Sequence, residues 1–170
     1  MGLKTVQEYK DSLKDGRVMY YKGERVDDVT THPDLSVAVD TMALDYHLAE
    51  LPEFHDLATV YDETLGERIN RYYYLPKNGD DLLKQFELIV ASTRMGDGFI
   101  PLAHDIGSDA LNAISITANA MGNQEYIQRI ENYRTYLKKT DLAVVTAMTD
   151  VKGDRMLRPS HGVTRCGRPV

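Results

Sequence analysis

The chain has no tryptophan and a single cysteine, Cys166. It can therefore close no internal disulfide and build no cysteine-based cluster or zinc site by itself. No apolar run approaches the ~20 residues of a membrane span. Met1-Gly2-Leu3-Lys4 is not followed by a signal-peptide core, so a cytoplasmic setting is the expectation. An excess of positive charge is lacking too. The net charge is −6, which argues against non-specific nucleic-acid binding and gives no reason to expect a membrane partner. There is no internal repeat and no low-complexity tract. What is present is ordinary for a soluble globular domain: 170 residues, 42% hydrophobic and 27% charged, enough for one domain with a real core. Eleven tyrosines are unusual beside three phenylalanines, but tyrosine alone specifies no ligand.

The hydrophobic pattern is mainly helical. Thr5-Val6-Gln7-Glu8 reads as a capping box ahead of a stripe of Val6, Tyr9 and Leu13, ended by Gly16. Val18 to Tyr21 and Glu24 to Val26 flank Lys22-Gly23, a small β-hairpin. Thr30-Thr31-His32-Pro33 opens a helix whose stripe is Leu35, Val39, Met42, Ala43, Tyr46 and Ala49, stopped by Pro52. Arg71 to Leu75 is extended or helical, and Pro76 closes it. Asn78 starts a helix with Leu82, Leu83, Phe86, Ile89 and Val90 as a broad apolar face. From Gly107 another carries Leu111, Ile114, Ala118 and Met121, with Gly122 as its C-cap. Asn123 caps the next, striped by Tyr126, Ile130, Tyr133 and Leu137, with Lys138-Lys139 at its negative end. Leu142 to Val145 reads as a buried strand or extended segment.

The densest chemistry lies near the C-terminus. Lys152, Arg155 and Arg158 surround Gly153, with Thr149, Asp150 and Asp154 interleaved. Such a stretch suits an anionic, polar-edged ligand; its plainer reading is a solvated surface turn. His104, Asp105 and Asp109 invite a metal reading. However, Asp105 and Asp109 share a helix face that His104 does not, so no metal site is expected. His32 is read as a structural residue of a helix start, and His47 and His55 receive no role. Tyr72 to Tyr74 could line a pocket; more often such a run packs on a neighbouring domain or subunit with its polar tips outward. Cys166 has no base placed near it and reads as an exposed thiol.

Several stretches occur in a familiar order: Tyr21-Lys22-Gly23-Glu24, Thr31-His32-Pro33, Gly107 to Ile114, Asn132 to Leu137, Asp141 to Val144, and Ala147 to Ser160. Together, over roughly residues 4 to 160, they resemble the N-terminal region of the 4-hydroxyphenylacetate 3-hydroxylase / 4-hydroxybutyryl-CoA dehydratase family. The resemblance implies a mainly α chain: the N-terminal helical domain of an acyl-CoA-dehydrogenase-like fold, with a small β-hairpin. It divides the chain into that domain, residues 1–160, and an irregular tail, 161–170, expected to be a truncated or out-of-frame end. It implies a flavoprotein that binds FAD through Met148, Thr149, Asp150, Lys152, Gly153, Asp154 and Arg155. It also implies a small-molecule substrate, an acyl-CoA or a phenol, and either a homo-oligomer or missing downstream domains. Backbone N–H groups near Gly153 and the cations Lys152 and Arg155 suit a phosphate.

The sequence departs from both branches of that family. Where the dehydratase branch has two cysteines for an iron–sulfur cluster, this chain has Pro101 and Asp105, which supply no thiolate. Where the hydroxylase branch has an arginine and a tyrosine for a phenol, it has Ile106 and Ala110. Thr146 replaces that branch's histidine ahead of the flavin segment. The wording Ala-Met-Thr-Asp-Val-Lys-Gly-Asp-Arg leans to the dehydratase and vinylacetyl-CoA isomerase branch. The resemblance thus implies a flavin-dependent enzyme, or its N-terminal fragment, of dehydratase and isomerase type. The alternatives are a flavin hydroxylase, or a non-catalytic fragment or half of a split enzyme. It assigns no catalytic residue.

Overall fold

A computed structural model describes residues 2–146. Helix α1, Val6–Ser12, begins with the expected capping box: Thr5 accepts from the Glu8 N–H, and Glu8 reaches back to the Thr5 N–H. Strands β1, Met19–Tyr21, and β2, Glu24–Val26, form the expected antiparallel hairpin. Lys22 and Gly23 both take positive φ (51° and 86°), the twist that a two-residue hairpin turn requires.

Helix α2, Ser36–Glu50, starts three residues beyond Pro33. The His32 ring explains the delay: its Nδ1 accepts from the Asp34 and Leu35 N–H groups and holds a preliminary turn. Val39, Ala43, Tyr46 and Ala49 are buried as their spacing predicts, and Leu51 caps the helix before Pro52.

A second hairpin follows, which the sequence pattern did not announce. After the short helix α3, His55–Ala58, strands β3, Thr59–Asp62, and β4, Glu67–Asn70, pair antiparallel. Arg71 welds this corner. Its buried guanidinium donates to the carbonyls of Asp56, Leu57 and Thr59. Arg71–Tyr73 is a single 3-10 turn, capped by the Asn70 side chain.

Helices α4, Gly79–Met95, α5, Asp105–Met121, and α6, Gln124–Thr140, complete the element order. Asn78 and Asn123 cap α4 and α6 through their side chains, and Gly122 takes the left-handed conformation that ends α5 (φ 65°). Three apolar clusters make the core. One centres on Tyr9, Val39, Ala43 and Tyr46. Another centres on Leu48, Ala58, Tyr72 and Leu88. The last comprises Tyr73, Leu111 and Leu137, against which Leu142 and Val144 pack.

The helical stripes hold only in part. On α4 the buried residues are Gln85, Leu88 and Ser92, whereas Leu82, Leu83 and Phe86 are 59%, 54% and 61% exposed. These three point to solvent, whereas Leu88, with Ile89, Ala91 and Met95, packs in the cluster shared with α2 and α3. Ile114, Met121, Tyr126 and Tyr133 likewise stay exposed while their stripe partners Leu111, Ala118 and Leu137 are buried. Residues 142–146 pair in no ladder and Val145 is exposed, so of the two forms expected, a buried strand or an extended segment, the strand is not formed. No helix among the described residues is long and apolar enough to cross a membrane.

Candidate functional site

The start of α5 gathers the described residues of most chemical interest. His104 is completely buried. Its Nδ1 lies 3.4 Å from Asp45 Oδ2 on α2, and its Nε2 lies 3.2 Å from Asp141 Oδ1, just past α6. The first contact has hydrogen-bond geometry; the second is close but poorly aligned. Three tyrosines enclose the ring: Tyr46 and Tyr73 edge-on, Tyr72 stacked at 5.7 Å between centroids. Burial alone pushes the imidazole pKa down. The two carboxylates outweigh it and raise the value to about 9, so the ring is an imidazolium at neutral pH. The three tyrosine phenols are pushed up, chiefly by burial.

This arrangement corrects the expectation for the tyrosine run. Tyr72 and Tyr73 do not face a neighbouring subunit; both are fully buried around His104. The ion-pair partners of His104 are Asp45 and Asp141, and neither is Asp105 or Asp109. Asp105 is half-buried at the first turn of α5, and its carboxyl is lifted above the usual range by burial, then by Asp109 and Asp45. Among the described residues no group of three His, Cys, Asp or Glu side chains could hold a metal ion.

Asp141 is the junction of the layer. Its Oδ2 accepts from the Lys4 N–H, and its carbonyl accepts from the Tyr46 hydroxyl. It sits in the left-handed region (φ 44°), where it ends α6 and turns the chain back towards α5. The returning segment is held at three points. The Tyr73 hydroxyl donates to the Leu142 carbonyl. The Val144 N–H donates to the Ala103 carbonyl at 2.8 Å. Gly107 faces Val144 so closely that a Cβ there would lie 2.6 Å from Val144 Cβ and its carbonyl oxygen. Only glycine permits that approach. The segment leading to Met148–Arg155 is therefore pinned to the first turn of α5. Met148, Thr149, Asp150, Lys152, Gly153, Asp154 and Arg155 themselves, like Cys166, lie outside the described residues.

Next to this layer, Arg134 explains two of the sequence motifs at once. Its buried guanidinium donates to Asn112 Oδ1 at 2.9 Å, Ser115 Oγ at 2.7 Å, and the carbonyls of Leu111 and Tyr73. Asn112 belongs to the Gly107–Ile114 stretch and Arg134 to the Asn132–Leu137 stretch, so the two motifs are halves of one contact between α5 and α6. Pro101 is buried, whereas Ile106 is exposed at 42%.

Sequence reasoning missed Asp45 and Asp141 and left His104 without a partner. One signal was available. Asp45 sits three residues after Met42 and four before Ala49, on the buried stripe of α2, where a carboxylate demands a cation. Nothing local marks Asp141.

Comparison with known proteins places this geometry. The family model "4-hydroxyphenylacetate 3-hydroxylase N terminal" matches residues 5–165. The chain is 31% identical over 163 residues to the 4-hydroxybutyryl-CoA dehydratase/vinylacetyl-CoA-Delta-isomerase of Clostridium aminobutyricum, covering 93% of this chain and 33% of that protein. Its structure is similar to an oxygen-tolerant archaeal 4-hydroxybutyryl-CoA dehydratase from N. maritimus, with a TM-score of 0.77 at 25% identity, covering 94% of this chain and 32% of that one. It is also similar to the oxygenase component of 4-hydroxyphenylacetate 3-monooxygenase complexed with FAD and 4-hydroxyphenylacetate. There the TM-score is 0.74 at 28% identity, covering 94% and 33%. The chain spans about a third of the length of these relatives. Its helical fold is that of the acyl-CoA-dehydrogenase-like proteins. The chain belongs to the 4-hydroxyphenylacetate 3-hydroxylase N-terminal family.

Proposed function

We propose that residues 1–160 are the N-terminal helical domain of a flavin-dependent enzyme, and that Met148, Thr149, Asp150, Lys152, Gly153, Asp154 and Arg155 form one wall of its FAD site. The observation that carries this reading is the anchoring of Leu142 by Tyr73 and of Val144 by Ala103 and Gly107, at the start of α5. It fixes the position of Leu142 and Val144, a few residues ahead of the proposed FAD-contacting residues in sequence. The donor chemistry fits FAD: Lys152 and Arg155 offset the pyrophosphate charge, and Gly153 lets backbone N–H groups approach it. Bound FAD would supply the redox centre; this chain's residues bind and orient it.

The reaction class we favour is dehydration or isomerisation of a hydroxyacyl-CoA, in line with the relatives from Clostridium aminobutyricum and N. maritimus. An iron–sulfur cluster does not fit the positions at α5. Pro101 has no donor atom, Asp105 offers a carboxylate, and the chain's one thiol is Cys166. The hydroxylase alternative would need an arginine and a tyrosine where Ile106 and Ala110 stand. A second reading, a non-catalytic fragment or one half of a split enzyme, draws support from the same four positions.

Flavin fluorescence during FAD titration tests the proposal. Saturable binding by the 170-residue chain, weakened about tenfold or more by Lys152→Ala with Arg155→Ala, supports the FAD wall. Absence of binding, or binding indifferent to those substitutions, overturns it.

A further inference from the structure

Asn78-Gly79 is the only asparagine–glycine pair in the sequence. It lies at the start of α4, and both residues are exposed. Asn78 is the N-cap. Its Oδ1 accepts from the Asp81 N–H at 2.9 Å, and Asp81 Oδ2 in turn accepts from the Lys77 N–H at 3.0 Å. Asn123 caps α6 in the same way, accepting from the Tyr126 N–H at 3.1 Å. The two caps differ in the residue that follows, Gly79 in one and Gln124 in the other.

That difference separates their chemistry. A backbone nitrogen can attack the Cγ of the asparagine before it, and a side chain on the attacking residue obstructs the approach. Gly79 has no side chain. A Cβ placed there would meet no heavy atom within 4 Å, so nothing in the fold crowds its nitrogen. As the first helical residue, Gly79 also has an N–H that the helical ladder does not use. The cap opposes the attack. Asn78 is extended (ψ 178°) and its side chain is tied to Asp81, so the chain must rotate about ψ before nitrogen and Cγ can meet.

We propose that Asn78 is a site of spontaneous deamidation, gated by its own helix cap. The Gly79 nitrogen gives up its proton and bonds to Asn78 Cγ; the Cγ–Nδ2 bond breaks and ammonia leaves, closing a cyclic imide. Water then opens the ring at either carbonyl. Opening at the side-chain carbonyl yields aspartate, which still caps α4. Opening at the main-chain carbonyl yields isoaspartate, whose backbone gains a methylene and loses the cap. The net change is water in and ammonia out, with no oxidation or reduction. Either product sets a new carboxylate beside Asp80 and Asp81. The inference is independent of flavin binding.

Peptide mapping by mass spectrometry tests it, on the full chain held for days in mild alkali. Asn78 is expected to convert at least about tenfold faster than Asn123. Gly79→Ala should slow Asn78 about tenfold or more and leave Asn123 unchanged. Asp81→Ala removes the carboxylate that accepts from Lys77 and should speed conversion about twofold or more, because a loosened first turn opens more often. In urea that acceleration should vanish, since no cap remains to open. Circular dichroism verifies that both variants fold like the wild type. Equal conversion at Asn78 and Asn123, or a rate indifferent to Gly79→Ala, would overturn the site. A rate unchanged by Asp81→Ala, or an acceleration that persists in urea, would overturn the gate.

Discussion

Around His104 the chain buries two carboxylates and an imidazole with a guanidinium close by, while along α4 it leaves two leucines and a phenylalanine in water. The two regions lie in one small domain and both invert the usual placement of side chains. The interior polar layer is tolerable because its charges have partners: Asp45 and Asp141 flank His104, and Arg134 meets four acceptors. The outer apolar face has no such compensation within the described residues. The contrast teaches that polarity inside this domain fixes its own geometry, whereas apolarity outside it is a surface for something else.

Removing the interior polar groups should have the largest effect. Arg134→Ala would strip partners from Ser115 and Asn112 and from two buried carbonyls. We expect a loss of about 3–5 kcal/mol in urea denaturation, or failure to fold. Near-neutral behaviour would show that the α5–α6 contact is held by packing alone.

The His104 layer should make stability depend on pH with a definite sign. Its folded pKa, about 9, lies above the unfolded value of 6.5, so its contribution is full below pH 6.5 and is lost as pH rises towards 9. The loss is of the order of 3 kcal/mol. Denaturation midpoints at pH 6 and pH 9.5 measure it, and Asp45→Asn should flatten the difference. A midpoint that rises with pH would show that the ring is neutral.

A smaller effect is expected at Gly107. Alanine there drives Cβ to 2.6 Å from Val144, which must shift. A thermal or urea measurement should show a cost of about 1–3 kcal/mol.

The outer face should respond least in stability. Leu83→Lys should leave the unfolding free energy within about 0.5 kcal/mol, since Leu83 is more than half exposed. A loss above 2 kcal/mol would mean that Leu83 is covered within the chain, and the contrast between the two regions would fail.

The sequence made the regular parts legible because their causes are local. Thr5 with Glu8, Asn78, Asn123 and Gly122 mark helix ends through their own backbones and side chains, and Lys22-Gly23 marks a turn by the same means. It also carried enough motif order to identify the family. The orientation of α4 was not legible, because periodicity identifies an apolar face without saying whether the same chain covers it. The second hairpin was missed because Thr59–Asp62 and Glu67–Asn70 are only four residues each and mostly polar. The His104 layer was missed because its members are 59 and 37 residues apart in sequence and meet only when α2 and the turn after α6 converge on α5.

If the proposed FAD wall depends on the chain that precedes it, the contact of Val144 with Gly107 should govern FAD affinity. The most direct measurement is the FAD dissociation constant of Gly107→Ala beside that of the wild type, with the helical fold of both verified by circular dichroism. All seven proposed FAD-contacting residues are unchanged in this variant. The wild type should bind saturably and the variant at least about tenfold more weakly, the scale of a displaced supporting contact. Equal affinity in the two proteins, or no binding by the wild type, would contradict it.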